Sequence, residues 1–353
     1  MAEIMPQEDF GQTPRAPWNP EPPLPAEPVP PRRGAAAVRH FLAWAVLGVA
    51  AVLVVSFTVQ IVAAAFGTAA IVLRGGAGTD SDISSHDMLA LMIASQLASI
   101  AIFAPWWMRA RRRGLGIARS AVRVRGWDAK RASGLAGTLF GIVLMGIGLQ
   151  VLISLALNLI LPLFPEILRE YTELMAAGGT DEFSLLSVLS VAILAPISEE
   201  LTDRGVALQF ALRGVSPSWR SRLAPEAYAK ISIGSLRFWA ANVIQALGFA
   251  ILHLNIVQGV YAFAIGLVLG WMFGRTGMLR YGVALHLAIN FSSYFVNELY
   301  TVFGALGDWG IVVFPLICLG AGLRLFTRAV PVDSGAAFAR VECSTVPGEP
   351  VQG

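Results

Sequence analysis

Residues 183–212 read FSLLSVLSVAILAPISEELTDRGVALQFAL, an apolar run long enough to cross a bilayer that nevertheless holds Glu199, Glu200, Asp203 and Arg204. About 20 apolar residues span the hydrocarbon core as a helix. Each ionisable side chain placed inside it costs about 2.5–3.5 kcal/mol even on the mildest insertion scales, so a sequence that keeps such a cluster holds it for a function. Two other apolar runs offer partners. Phe249 and His253 lie four apart in one, His286 and Asn290 four apart in the other, and that spacing puts each pair on one helical face.

The surrounding chain reads the same way. It is 56% hydrophobic and 14% charged, whereas soluble domains carry about a quarter charged residues. The expected fold class is all-α: a polytopic membrane protein of about eight transmembrane helices, with a core bundle carrying the charged cluster. The expected spans are Phe41–Phe66, Met88–Met108, Gly134–Phe164, Phe183–Leu212, Phe238–Leu254, Ile256–Phe273, Tyr281–Val296 and Ile311–Leu323. Charge alternation between loops supports that order. Arg109, Arg111, Arg112, Arg113, Arg119, Arg123, Arg125, Lys130 and Arg131 crowd the connection after the second span. Asp80, Asp82 and Asp87 precede that span, and Glu166, Glu170, Glu173, Asp181 and Glu182 follow the third. Positive loops stay in the cytoplasm, so both termini are expected there, and the basic excess is an orientation signal rather than a nucleic-acid footprint.

Residues 1–37 hold ten of the twenty prolines and read as a disordered cytoplasmic tail. Residues 38–133 read as an N-terminal transmembrane hairpin with its basic loop, 134–326 as the core, and 327–353 as a flexible tail. Cys318 and Cys343 are the two cysteines, too few for a disulfide framework or a thiolate metal cage.

The polar residues can be placed by depth. Glu199, sixteen residues after Phe183, lies about 24 Å into a core about 30 Å thick, and His286 about 8 Å deep from the cytoplasmic side. His253 joins them only if Asn242 and Gln245 keep the first turns of the fifth helix in polar surroundings, with a shallow hairpin around Asn255–Gly259. Glu200 and Arg204, spaced i,i+4, favour an ion pair. Glu199 has Asp203 at its own i+4 position, a like charge that favours the neutral carboxyl unless a histidine or arginine compensates, as a group serving as both base and acid requires. Glu199, His253, His286 and Asn290 together offer a base, a proton partner and oxyanion donors without a Ser or Cys nucleophile, so water must attack. A plain salt-bridge network, a non-catalytic membrane scaffold or peptide-binding subunit, and a proton-coupled transporter remain open on these residues. His40 and His86 flank spans and read as interfacial.

Three motifs in order carry a resemblance. Glu199-Glu200-Leu201-Thr202-Asp203-Arg204 is similar to EExxxR, Phe249 to His253 to FxxxH, and His286 to Asn290 to HxxxN, within roughly Leu185–Phe295. The chain resembles the CPBP intramembrane proteases, the CAAX protease, bacteriocin-processing or Abi family with its Rce1-like relatives. The resemblance implies a glutamic endopeptidase in which Glu199, assisted by His253, activates water while His286 and Asn290 stabilise the oxyanion. It also implies that Glu200 and Arg204 hold the site and that Phe249 shapes it. Asp203 departs from the family, which commonly places an aromatic residue before the arginine. No cofactor or metal is expected, since no HExxH pattern is present and Asn290 would be an unusual zinc ligand. The expected partners are a membrane-associated peptide or protein substrate and the lipid bilayer. The Ala-, Arg- and Gly-rich composition looks bacterial, and prenylated substrates are not carried over.

Overall fold

The computed structural model describes residues 30–75, 84–112, 132–178, 183–218, 231–305, 307–330 and 337–338. The prolines before residue 30, most of the Arg109–Arg131 loop, Asp80, Asp82, Asp181, Glu182 and Cys343 lie outside the described residues. Helix α1 covers 34–75 with a π-helical stretch at Leu42–Val46. It is followed by α2 (Ser85–Arg112), α3 (Ala132–Ile160), α4 (Pro165–Gly178), α5 (Leu185–Val215), α6 (Leu236–Leu252), α7 (Ile256–Thr276), α8 (Leu279–Ser293), α9 (Val296–Gly304) and α10 (Asp308–Ala329). A 3-10 turn at Leu161–Leu163 and a two-residue antiparallel pairing of Ile231–Ser232 with Ala337–Phe338 complete the regular structure among the described residues.

Local chemistry sets the helix ends. Ser84 Oγ accepts from the Asp87 amide and donates to its carboxylate, satisfying an orphan donor at the start of α2. Ser184 and Ser235 cap α5 and α6 in the same sense. The reversal between α6 and α7 is three residues long: Leu254 takes the left-handed conformation (φ 52°), and Asn255 Oδ1 accepts from Val257 N and Gln258 N, both at 3.0 Å. Gly277 (φ 67°) closes α7, a conformation that suits a residue without Cβ.

Among the described residues, six helices are long and apolar enough to cross a membrane: α1, α2, α3, α5, α7 and α10. Of the eight spans expected, α6 and α8 are the short ones, 17 and 15 residues, or about 25 and 22 Å of helix. Helix α8 carries His286 and Asn290, and His253 caps the C-terminal end of α6. Helices α4 and α9 fall in stretches read as loops. The first helix begins at Gly34 and the last ends at Ala329, so the expected tails are each trimmed by a few residues.

Helix α5 is the axis of the bundle and the most buried span. One apolar cluster joins it to α1, α2 and α6 through Val52, Phe103, Leu208 and Phe238. A second joins α3, α7, α8 and α10 through Met145, Leu269, Leu285 and Phe326. Helices α3 and α10 meet backbone to backbone: a Cβ on Gly141 would lie 2.9 Å from Gly322 O, and one on Gly322 2.6 Å from Gly141 O. Close approach through small residues is how helices associate where lipid removes the hydrophobic drive. Outward-facing Val54, Ile61, Phe66, Phe140 and Leu316 are exposed, as a lipid-facing surface requires.

Asn242 and Gln245 are fully buried within the bundle, which corrects the polar surroundings inferred for them. Asn242 Nδ2 donates to Leu267 O at 2.9 Å, and Gln245 Nε2 to Gly266 O at 2.9 Å and to Asn242 Oδ1 at 2.8 Å. Their NH2 groups are satisfied by α7 carbonyls, while Gln245 Oε1 has no hydrogen-bond partner among the described residues. Gly270 leaves the room, since a Cβ there would collide with the Asn242 side chain. His40 is likewise buried rather than interfacial. Its Nε2 lies 2.8 Å from Arg213 O and 3.1 Å from Ser216 O, at the end of α5.

Candidate active site

The charged cluster sits where α5 changes its winding. Residues Val188–Leu194 and Leu201–Ala207 are π-helical, and Ala195–Glu200 between them is α-helical. Pro196 accounts for part of this. In the first π segment Ala195 N donates five residues back to Ser190 O, so the next donor due, for Val191 O, would be residue 196, and proline has no N–H. Asn290 fills the gap: its Nδ2 donates to Val191 O at 2.8 Å, tying α8 to α5 beside the site. π-helical turns recur at functional sites, where they shift side chains out of the α-helical phase.

Glu200, Asp203 and Arg204 are fully buried. Arg204 Nη1 lies 2.8 Å from Glu200 Oε1, an ion pair whose N–H direction is turned off the oxygen. The expected i,i+4 pair therefore forms. Arg204 also donates from Nη2 to Gly266 O at 3.4 Å and lays its guanidinium 4.5 Å above the Phe249 ring. Gly282 on α8 makes room for Glu200, because a Cβ there would lie 2.6 Å from Glu200 Oε2. Sequence reading passed over Gly282, although it sits one turn before His286 on the same face.

His286 stands between the two glutamates. Its Nε2 is 3.6 Å from Glu199 Oε2 and its Nδ1 is 3.4 Å from Glu200 Oε1, both longer than a good hydrogen bond. Phe249 packs edge-to-face against His253 (4.8 Å) and His286 (5.8 Å), so one ring touches both histidines and the arginine. His253 Nδ1 lies 2.9 Å from Phe249 O. A carbonyl only accepts, so Nδ1 carries the hydrogen and the neutral ring presents Nε2 as an acceptor.

Glu199 differs from its neighbours in access. Its side chain is 30% exposed, and it borders a cavity of about 190 Å³ together with Asp203, Phe249 and His253. His286 and Asn290 stand behind Glu199 rather than on this wall. Neither carboxylate oxygen of Asp203 has a hydrogen-bond partner among the described residues. The opposite wall comes from α1 and α2: Ser56, Gln60, Ser95, Gln96 and Ser99. Sequence reading missed these five, although Ser56/Gln60 and Ser95/Ser99 each show the i,i+4 signature of one polar stripe in an apolar helix.

Residues 181–292 match the family model described as Rce1-like, Type II CAAX prenyl endopeptidase Rce1-like. The matched segment takes in α5, α6, α7 and all but the last residue of α8, with every motif residue, and supports the resemblance to the CPBP, or CAAX protease, family of membrane proteases. Helices α1–α3 and α10 lie outside the match. No curated protein and no solved structure matches the chain.

Proposed function

We propose that this protein is an intramembrane glutamic endopeptidase, acting in a bacterial cytoplasmic membrane on a membrane-associated or lipid-linked peptide. The observation that carries the reading is the partly open Glu199 carboxylate, sharing a cavity with the His253 ring whose Nε2 is an acceptor. Water held between them loses a proton to Glu199 as its oxygen bonds to the scissile carbonyl carbon. The carbonyl oxygen becomes an oxyanion, and Glu199 returns the proton to the leaving nitrogen as the C–N bond breaks, giving a carboxylic acid, which keeps the second water proton, and an amine. His286 and Asn290 are the oxyanion donors that the family resemblance implies; neither lines the cavity, so the scheme requires the substrate carbonyl to reach past Glu199 towards α8. Asn290 keeps one amide hydrogen beyond the one given to Val191 O, and the 3.6 Å separation of His286 from Glu199 leaves its Nε2 able to turn to a new acceptor. Glu200, Arg204 and Phe249 hold the histidines in place.

The test uses purified protein in lipid vesicles with a mixture of apolar peptides, and mass spectrometry of the new termini. Native protein is expected to generate termini that Glu199→Gln and His253→Ala reduce at least 100-fold, with both variants folded. Cleavage undiminished in Glu199→Gln would overturn the assignment.

A further inference from the structure

The α1–α2 wall of the cavity has no part in the chemistry above, yet it is built for binding. Both helices are long and apolar enough to span a membrane. Polar side chains on such helices are expensive unless something meets them. Here the groups facing the cavity are hydroxyls and side-chain amides, without a charge among them. A neutral wall of this kind suits neutral hydrogen-bonding groups and offers nothing specific to a phosphate or a cation.

Two of these side chains are half-used. Gln60 Nε2 donates to Ser56 Oγ at 3.3 Å, and its Oε1 has no hydrogen-bond partner among the described residues. Gln96 is 9% exposed; its Oε1 accepts from Ser190 Oγ at 3.4 Å, and its Nε2 has no partner among the described residues. Two side chains on adjacent helices, one with a free acceptor and one with a free donor, therefore line the same cavity. A peptide group carries the complementary pair. In a membrane that complementarity matters, because a segment unwound to expose a bond for hydrolysis leaves N–H and C=O groups that cost several kcal/mol each without partners.

We propose that this wall holds the main chain of an extended peptide across from Glu199, with Gln96 donating to a peptide carbonyl and Gln60 accepting from a peptide N–H. Recognition is then of backbone amides in an unwound segment, supplied by helices outside the matched family segment. The proposal deepens the peptidase reading and names the substrate feature that the site reads.

The probe is acetyl-Leu-Leu-Leu-amide, compared with the analogue whose central amide is an ester, which has the same shape and one N–H fewer. Binding to detergent-solubilised native protein is followed by the shift in thermal midpoint. The amide is expected to bind at least five-fold tighter than the ester. In Gln60→Met/Gln96→Met, which keeps side-chain length and removes the hydrogen bonds, the preference vanishes and affinity for the amide falls about ten-fold. Absence of binding, equal binding of amide and ester to native protein, or undiminished preference in the double variant would each overturn the proposal. The amide–ester comparison on native protein needs no variant to fold. Amide-selective binding without any Glu199-dependent cleavage would leave this wall standing and remove the peptidase reading. Glu199-dependent cleavage without amide selectivity would do the reverse.

Discussion

Two adjacent glutamates have opposite surroundings. Glu200 is fully buried against Arg204 and His286, whereas Glu199 is part-exposed with one long contact. Removing one partner of a buried ion pair leaves the other charge uncompensated, at a cost of about 3–5 kcal/mol. Glu200→Gln is therefore expected to lower unfolding stability by that order, and Glu199→Gln by less than about 1 kcal/mol while abolishing activity. Denaturant unfolding of the two variants checks this, and equal losses would contradict it. Asp203 is the odd residue: a buried carboxyl without a hydrogen-bond partner is a cost of about 1–3 kcal/mol. Asp203→Leu is expected to raise the thermal midpoint, and a lowered midpoint would show that the carboxyl is satisfied in the membrane. At this scale the sequence was highly legible, because Glu200/Arg204 and Phe249/His253 each meet within one helix at i,i+4. What it hid was that the Phe249 ring also reaches Arg204 and His286 on two other helices.

Among the elements, α8 is tied to α5 by the Asn290 amide as well as by His286 and Gly282 against the glutamates. The Asn290 bond to Val191 O answers the missing N–H of Pro196, so the two residues should be coupled. Asn290→Leu is expected to cost about 1 kcal/mol by orphaning a part-buried carbonyl. Pro196→Ala, which restores an N–H at the π-helical donor position, should recover at least half of that in the double variant. Additive effects in the double-mutant cycle would contradict the coupling. The Asn290 contact could not be read from sequence, since Pro196 orphans Val191 O only if the turn is π-helical, and hydrophobic periodicity does not reveal π turns. Asn242 and Gln245 misled for a related reason. A buried amide and one facing water look alike in sequence until the α7 carbonyls that satisfy it are known. Gly282→Ala should displace Glu200 and reduce cleavage more than ten-fold with little change in helical content by circular dichroism.

Over the whole molecule, the polytopic helical architecture was legible from composition and the length of the apolar runs. The short lengths of α6 and α8 were not, because sequence hydropathy runs on past the helix ends into Leu254 and Val296. The family match ends with α8, yet α1 and α2 close the cavity and α3 is locked to α10 at Gly141 and Gly322. The outer helices are thus part of the working unit, and residues 181–292 alone would lack one wall of the site. The most direct measurement compares membrane-protein termini in cells carrying the native protein, Glu199→Gln or no copy. Termini that appear with native protein and are absent from both other strains are predicted. If Glu199→Gln reproduced the native pattern, the central role given to that carboxylate would be contradicted.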